Sequence, residues 1–260
     1  MKTFVITLSN NISSVKSTKQ TIQSAKDVGY TEPIERFEGI LPNDWHNHIH
    51  HGGNDIFHIY RKPDNVAACF ASHYLLWKKC IELNEPILIL EHDAIFKQNI
   101  PDIDFDMCVT FGRPSYMRPF QMVYKELIDG LQPLVQENFL GHHAYAIKPE
   151  AAKIFCEDVE SRKLSANDIW INTHVYPWLQ EYNPYPIWAD TKFSTIQEDW
   201  RQAQALENGE ELVELSVLDN YKLTYPNLLM WEEGTYENKY VTKHFLHCLT
   251  APQSKSYIDV

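Results

Sequence analysis

Between Pro86 and Asp93 the chain reads Pro-Ile-Leu-Ile-Leu-Glu-His-Asp. Four apolar residues in a row, two of them isoleucine, suit a central strand covered on both faces rather than an alternating surface strand. Such a strand belongs to an open α/β sheet, and in those sheets ligands bind beyond the carboxyl ends of the strands. Glu91 and Asp93 stand at that end. At period-two spacing they point the same way and offer hard oxygen ligands to a divalent cation, which can bridge phosphate oxygens and assist departure of a diphosphate. The plain alternative is a strand end followed by an ordinary acidic turn.

The rest of the chain alternates strand and helix signals. Lys2 to Leu8 reads as a strand, about Ser14 to Val28 as a helix stopped by Gly29, and Ile34 to Ile40 as a second strand. Residues 41–54 read as loop. From Pro63-Asp64-Asn65, where Asp or Asn can cap, Val66, Phe70, Tyr74, Trp77 and Ile81 recur at helical spacing and lead straight into the strand before Glu91. Phe105 to Phe111 and Ala144 to Ile147 are further strands. Pro149 opens a helix to about Val159, since its missing N–H is not needed in a first turn. Ser165 to Asp168 opens the next helix, carrying Ile169, Ile171, Val175 and Trp178. This order predicts an α/β fold with a largely parallel central sheet. Residues 1–196 are expected to form the main domain. Residues 197–260, with an exposed helix from Glu207 to Glu214, are expected to be an extension packed on it.

Charge and cysteines narrow the function. A formal net charge of −12 argues against broad neutralisation of nucleic-acid phosphates. Lys78-Lys79, Arg113 and Arg118 are the nearest to basic patches. The five cysteines, Cys69, Cys80, Cys108, Cys156 and Cys248, show no Cys-x-x-Cys pair and read as reduced core thiols. Phe4 to Leu8 is too short for a signal h-region, and no stretch approaches the about 20 apolar residues of a membrane span. A cytoplasmic protein, working in part at the inner membrane surface, is the expectation.

Four segments resemble the family 25 glycosyltransferases, which include lipopolysaccharide and procollagen galactosyltransferases. They are Phe4 to Leu8 with Glu35-Arg36-Phe37-Glu38-Gly39-Ile40, Cys69 to Lys79 with its Ser72-His73 pair, Leu88 to Ala94, and Gly141 to Ile147 with Ala151-Ala152. The resemblance implies a GT-A type, Rossmann-like nucleotide-sugar-binding domain, Mn²⁺ or Mg²⁺, a nucleotide-diphosphate donor such as a UDP-sugar, and transfer with inversion. It implies a surface glycan such as lipopolysaccharide as acceptor, with a protein side chain or a hydroxymethylated DNA base as alternatives, since one flipped base needs only a pocket.

The same resemblance assigns candidate roles. Asp93 and Glu91 would hold the metal, with His244 or His247 completing its shell. Ser72, His73, Glu91, His92, Tyr145 and Ser194 would face donor or acceptor. His92 stands where the family has an aspartate, which leaves open a nucleotide-sugar-binding protein without chemistry. Imidazole can still ligate Mn²⁺ or donate to a hydroxyl. Asp168 is the candidate base, but Ser165-x-x-Asp168 also has the shape of a capping box. The histidines of His46-Asn47-His48-Ile49-His50-His51 read as an exposed lid or a transition-metal ligand set.

Overall fold

The structure is a computed structural model and describes residues 1–49, 55–60, 62–113, 129–135, 137–190, 212–214 and 240–242. Met1–Ile196 forms one compact unit and Gln197–Val260 a second. The described strands of the first unit are β1 (Lys2–Thr7), β2 (Ile34–Glu38), β3 (Ile87–Leu90), β4 (Ala94–Phe96), β5 (Cys108–Thr110), β6 (Gly130–Pro133), β7 (Ala144–Ile147), β8 (Leu179–Asn183) and β9 (Ile187–Ala189). The helices are α1 (Ile12–Asp27), α2 (Pro63–Leu83), α3 (Pro149–Ser161) and α4 (Asn167–Trp170). In the second unit β10 (Leu212–Glu214) pairs antiparallel with β11 (Tyr240–Thr242). The helix expected over Glu207 to Glu214 is thus overturned at its C-terminal end, where Leu212 and Val213 pair as a strand. The remainder of residues 197–260 lies outside the described residues.

Seven strands form one mixed sheet in the order β2-β1-β3-β7-β5-β8-β6. β1 lies parallel to both β2 and β3, and β5 parallel to β8, whereas β7 runs antiparallel between β3 and β5 and β6 antiparallel at the edge. Five strands therefore share a direction, so the sheet is mostly parallel. β3 is covered on both faces, as its unbroken apolar run requires. Ile87 and Ile89 face a core with Phe70, Trp77 and Phe155 from α2 and α3. Leu88 and Leu90 face a smaller core with Ala25 of α1, Phe96 and Phe105.

Local chemistry sets the helix ends. Asn11 caps α1, its side-chain oxygen accepting from the N–H groups of Ser13 and Ser14. The face that α1 buries is polar, and Thr18 meets it with a 2.8 Å hydroxyl contact to Thr7 of β1. In α2, Pro63 occupies the first turn, but the cap position is Lys62, whose side chain makes no capping hydrogen bond, so the expected Asp or Asn cap is not made. Asp64 instead accepts from the Trp45 indole at 3.1 Å. The helix ends at Asn84, left-handed at φ 51°, whose N–H closes on Cys80 and Ile81.

The helix expected from Ser165 to Trp178 is a single turn, α4. Asn172 breaks it: its amide donates back to the carbonyls of Ile169 and Trp170, and its oxygen accepts from Val175 N–H. Side-chain bonds of this kind compete directly with the helical ladder. Trp170 and Tyr176 then fold against Phe155 and the Arg162 guanidinium, which frees residues 179–183 to pair as β8.

Candidate functional site

A cleft open to solvent lies at the carboxyl edge of β1, β2 and β3. Ile6, Leu8, Ile40 and Pro42 make an apolar wall. Asn65, Ala68, Cys69, Ser72 and His73 present one face of α2, spaced three and four residues apart. Glu91, His92 and Asp93 form the acidic floor.

Glu91 and Asp93 are not on the strand itself. β3 stops at Leu90, and residues 91–93 form a tight turn closed by Ala94 N–H to the Glu91 carbonyl at 3.1 Å. The expectation that period-two spacing aims them alike is therefore replaced: both line the cleft, in different surroundings. The turn is pinned from three sides, by Thr21 of α1 donating to the His92 carbonyl at 2.8 Å, by Glu91 N–H to the His143 carbonyl at 2.8 Å, and by Asp190 N–H to the Asp93 carbonyl at 2.8 Å.

Because β7 is antiparallel, the residues just before it arrive beside those just after β3. That topology brings His142 to Glu91, with Nδ1 3.2 Å from Oε1. His73 of α2 approaches the same oxygen with Nε2 at 3.5 Å. On the far side of His142, Nε2 meets the Asn167 amide at 3.3 Å. Burial, then the charge of His73, lowers the His142 pKa to about 4, so the ring is neutral at physiological pH. A neutral ring that accepts from Asn167 at Nε2 carries its proton on Nδ1 and donates it to Glu91. His73 follows a similar logic. Trp77 donates to the Tyr145 hydroxyl at 2.7 Å, and that hydroxyl lies 3.0 Å from His73 Nδ1. If the hydroxyl donates to Nδ1, the His73 proton sits on Nε2, facing Glu91.

The two carboxylates consequently differ. Burial pushes Glu91 up, but hydrogen bonds from His142 and His73 outweigh it and hold Glu91 well below the usual range. Asp93 has no such imidazoles. Burial, and then the charges of Glu91 and Asp190, push it well above the usual range, against the help of its own N–H, and its buried Oδ1 has no hydrogen-bond partner. An anion in that position requires a positive charge.

Asp168 lies in α4, half-buried and near His142 and Glu91. Burial raises its pKa, opposed first by His142. The capping-box reading is overturned, because the cap of α4 is Ala166 and makes no side-chain hydrogen bond. The loop carrying His142 is tied to α4 by Phe139 N–H to the Asp168 carbonyl at 2.9 Å.

The remaining candidates separate clearly. Ser72 accepts from Ile40 N–H and donates to the Ala68 carbonyl, both at 2.8 Å, so its hydroxyl locks the end of β2 to α2. Tyr145 is fully buried behind His73. His92 is buried and lines the cleft. Of the histidine-rich loop, His46 is exposed, His48 pairs with Asp44 at 3.1 Å, and His50 and His51 lie outside the described residues, as do Ser194, His244 and His247. Sequence reasoning missed Cys69, His142 and Asn167. Cys69, expected in the core, is a half-buried cleft thiol whose pKa is pushed well up by burial and then by Glu91, Asp168 and Asp93.

Two glycines allow this packing. A Cβ on Gly141 would overlap the Gly112 carbonyl and the Thr110 hydroxyl, and one on Gly112 would overlap the Gly141 carbonyl. Both obstacles include backbone, which cannot step aside. Gly141→Ala should therefore lose about 3 kcal/mol of stability, measured by urea unfolding; a loss under about 0.5 kcal/mol, the scale of a surface change, would show that the loop adapts.

Residues 1–109 match the family Glycosyltransferase family 25 (LPS biosynthesis protein). The matched segment carries Cys69, His73, Glu91 and Asp93 and ends before His142 and Asp168. No curated protein matches the chain. Among solved structures it is similar to a glycosyltransferase involved in the glycosylation of the major capsid of PBCV-1, at 13% identity, covering 71% of this chain and 84% of that one, with a TM-score of 0.36. Among the described residues no helix is long and apolar enough to cross a membrane.

Proposed function

We propose that this chain, a glycosyltransferase by the family match of its first 109 residues, inverts the sugar it transfers from a nucleoside-diphosphate donor to an acceptor hydroxyl. The donor is a UDP-sugar, the acceptor a surface glycan of the lipopolysaccharide kind, the site cytoplasmic and the fold GT-A type. The observation that carries the reading is Asp93: a buried carboxyl, one oxygen without a partner, beside a second carboxylate at the ligand edge of the sheet.

Those residues fit a divalent cation. Asp93 and Glu91 would hold it, and Mn²⁺ or Mg²⁺ there supplies a Lewis acid that offsets charge on the departing diphosphate. The apolar wall of Leu8, Ile40 and Pro42 suits a nucleoside base, leaving the polar floor for phosphates and sugar. His142 and His73 keep Glu91 ionised. Asp168, with its raised pKa, takes the proton of the acceptor hydroxyl as that oxygen attacks the anomeric carbon on the face opposite the diphosphate. His92 favours a second reading, donor binding without transfer, because an imidazole replaces the family's carboxylate in the floor.

A thermal-shift screen of UDP-, GDP- and CMP-sugars with and without Mn²⁺ tests the proposal. One donor at 100 times its Kd should stabilise the protein by about 2.7 kcal/mol, only with Mn²⁺ present. No shift with any donor would overturn it; a shift without sugar release or transfer would select the second reading.

A further inference from the structure

The ligand atoms in this cleft are not all oxygen. Cys69 Sγ, His73 Nε2 and a Glu91 carboxylate oxygen lie within 4.8 Å of one another. Cys69 and His73 are four residues apart on α2, so one helical turn sets sulfur and imidazole side by side. His73 is fully buried, and its Nε2 has no hydrogen-bond partner; its nearest acceptor is the Glu91 oxygen at 3.5 Å. Its other nitrogen is held by Tyr145, which Trp77 holds in turn. That is the supporting shell that orients a metal-bound imidazole. All three ligands line the open cleft, which leaves a fourth position accessible.

We infer that Cys69, His73 and Glu91 form a site for a thiophilic divalent cation of the zinc class, and that filling it inhibits transfer by withdrawing Glu91 from the donor. Thiolate and imidazole select zinc over Mn²⁺ and Mg²⁺, which favour oxygen, and three protein ligands with one open position are a normal zinc arrangement. On binding, the Cys69 thiol gives its proton to solvent and a sulfur–metal bond forms. His73 ligates through an unprotonated Nε2, its single proton shifting to Nδ1, which donates it in a hydrogen bond to the Tyr145 oxygen. One Zn²⁺ enters and one proton leaves. The inhibition rests on the transferase reading; the binding does not.

Cobalt makes the site visible without donor or turnover. The full chain titrated with Co²⁺ should bind one equivalent with a sulfur-to-cobalt charge-transfer absorption, lost in Cys69→Ser and kept in Asp93→Asn. In the unaltered protein, Zn²⁺ but not Mn²⁺ should slow alkylation of Cys69 by iodoacetamide, mapped by peptide mass, by about tenfold or more, because a metal-bound thiolate is no longer a free nucleophile. Absence of the charge-transfer band, its persistence in Cys69→Ser, or an alkylation rate indifferent to Zn²⁺ would each overturn the site. A chain that binds zinc but transfers no sugar would refute the transferase reading and leave the site standing.

Discussion

Asp93→Asn should abolish transfer and at the same time make the metal-free protein more stable. The loss of activity follows from removing one of the two carboxylates proposed to hold the cation; a drop of about 10³-fold in kcat/KM corresponds to about 4 kcal/mol, the scale of a metal's stabilisation of developing charge. The gain in stability follows from the burial of Asp93 and the lack of a partner for Oδ1. Its carboxyl pKa lies well above the ordinary 3.8 in the folded chain, chiefly through burial and then Glu91. The sign follows directly. Below the unfolded pKa both states hold the proton and there is no penalty; as pH rises toward the raised folded pKa the folded state becomes progressively penalised. Asparagine carries no such penalty. Its Tm should match wild type near pH 4 and exceed it at pH 7 by roughly 3 °C, about 1 kcal/mol in a chain of this size. Mn²⁺ should raise the Tm of wild type and not of the variant. Retained turnover would remove Asp93 from the mechanism, and a Tm that falls at pH 7 would show that its oxygens are satisfied in solution.

Asp168→Asn should lower kcat by about 10² to 10⁴-fold, the usual contribution of a general base, while leaving the donor-induced thermal shift intact. The pH profile distinguishes a base from a structural residue. The carboxylate is the working form, and burial raises its pKa above 3.8. Activity should therefore climb with pH through a limb displaced above the ordinary carboxylate range, and that limb should be missing from whatever rate the variant retains. Burial pushes the His142 pKa down to about 4, so its ring stays neutral across the working range. An unchanged limb in Asp168→Asn would place the base elsewhere.

Much of the frame was legible because its signals are local. The apolar run of β3, the Ala-Tyr-Ala-Ile of β7 and the spacing of Val66, Phe70, Tyr74 and Trp77 on α2 each report their own burial within one or two turns of chain. β6 was hidden: Gly130 to Pro133 carries little apolar pattern and is a strand because its partner β8 makes it one. The segment after Asp168 was misread because Ile171, Val175 and Trp178 fit a helical period, yet Val175 is exposed and Asn172 spends its amide on the turn. In the site, the acid pair announced itself at the end of an apolar strand. His142 and Asn167 did not, because their meaning comes from an antiparallel strand that carries one of them across the sheet to Glu91. Cys69 lacked a partner cysteine in sequence, and its neighbours are a histidine one turn along and a glutamate on another element.

The antiparallel β7 also dictates an order of assembly. Residues 1–109 contain β1, β2, β3 and the acidic turn, but in the finished sheet one edge of β3 is paired along Ile87–Leu90 only by β7, and β7 simultaneously holds β5. A chain emerging from the ribosome would thus carry an open, wholly apolar strand edge until residue 147 is free to close it, the kind of edge that recruits other chains. Glu91 would wait through the same interval for His142. The surroundings of Glu91 are completed only by residues well beyond the acidic turn, so an incompletely synthesised chain would be sticky before it was active.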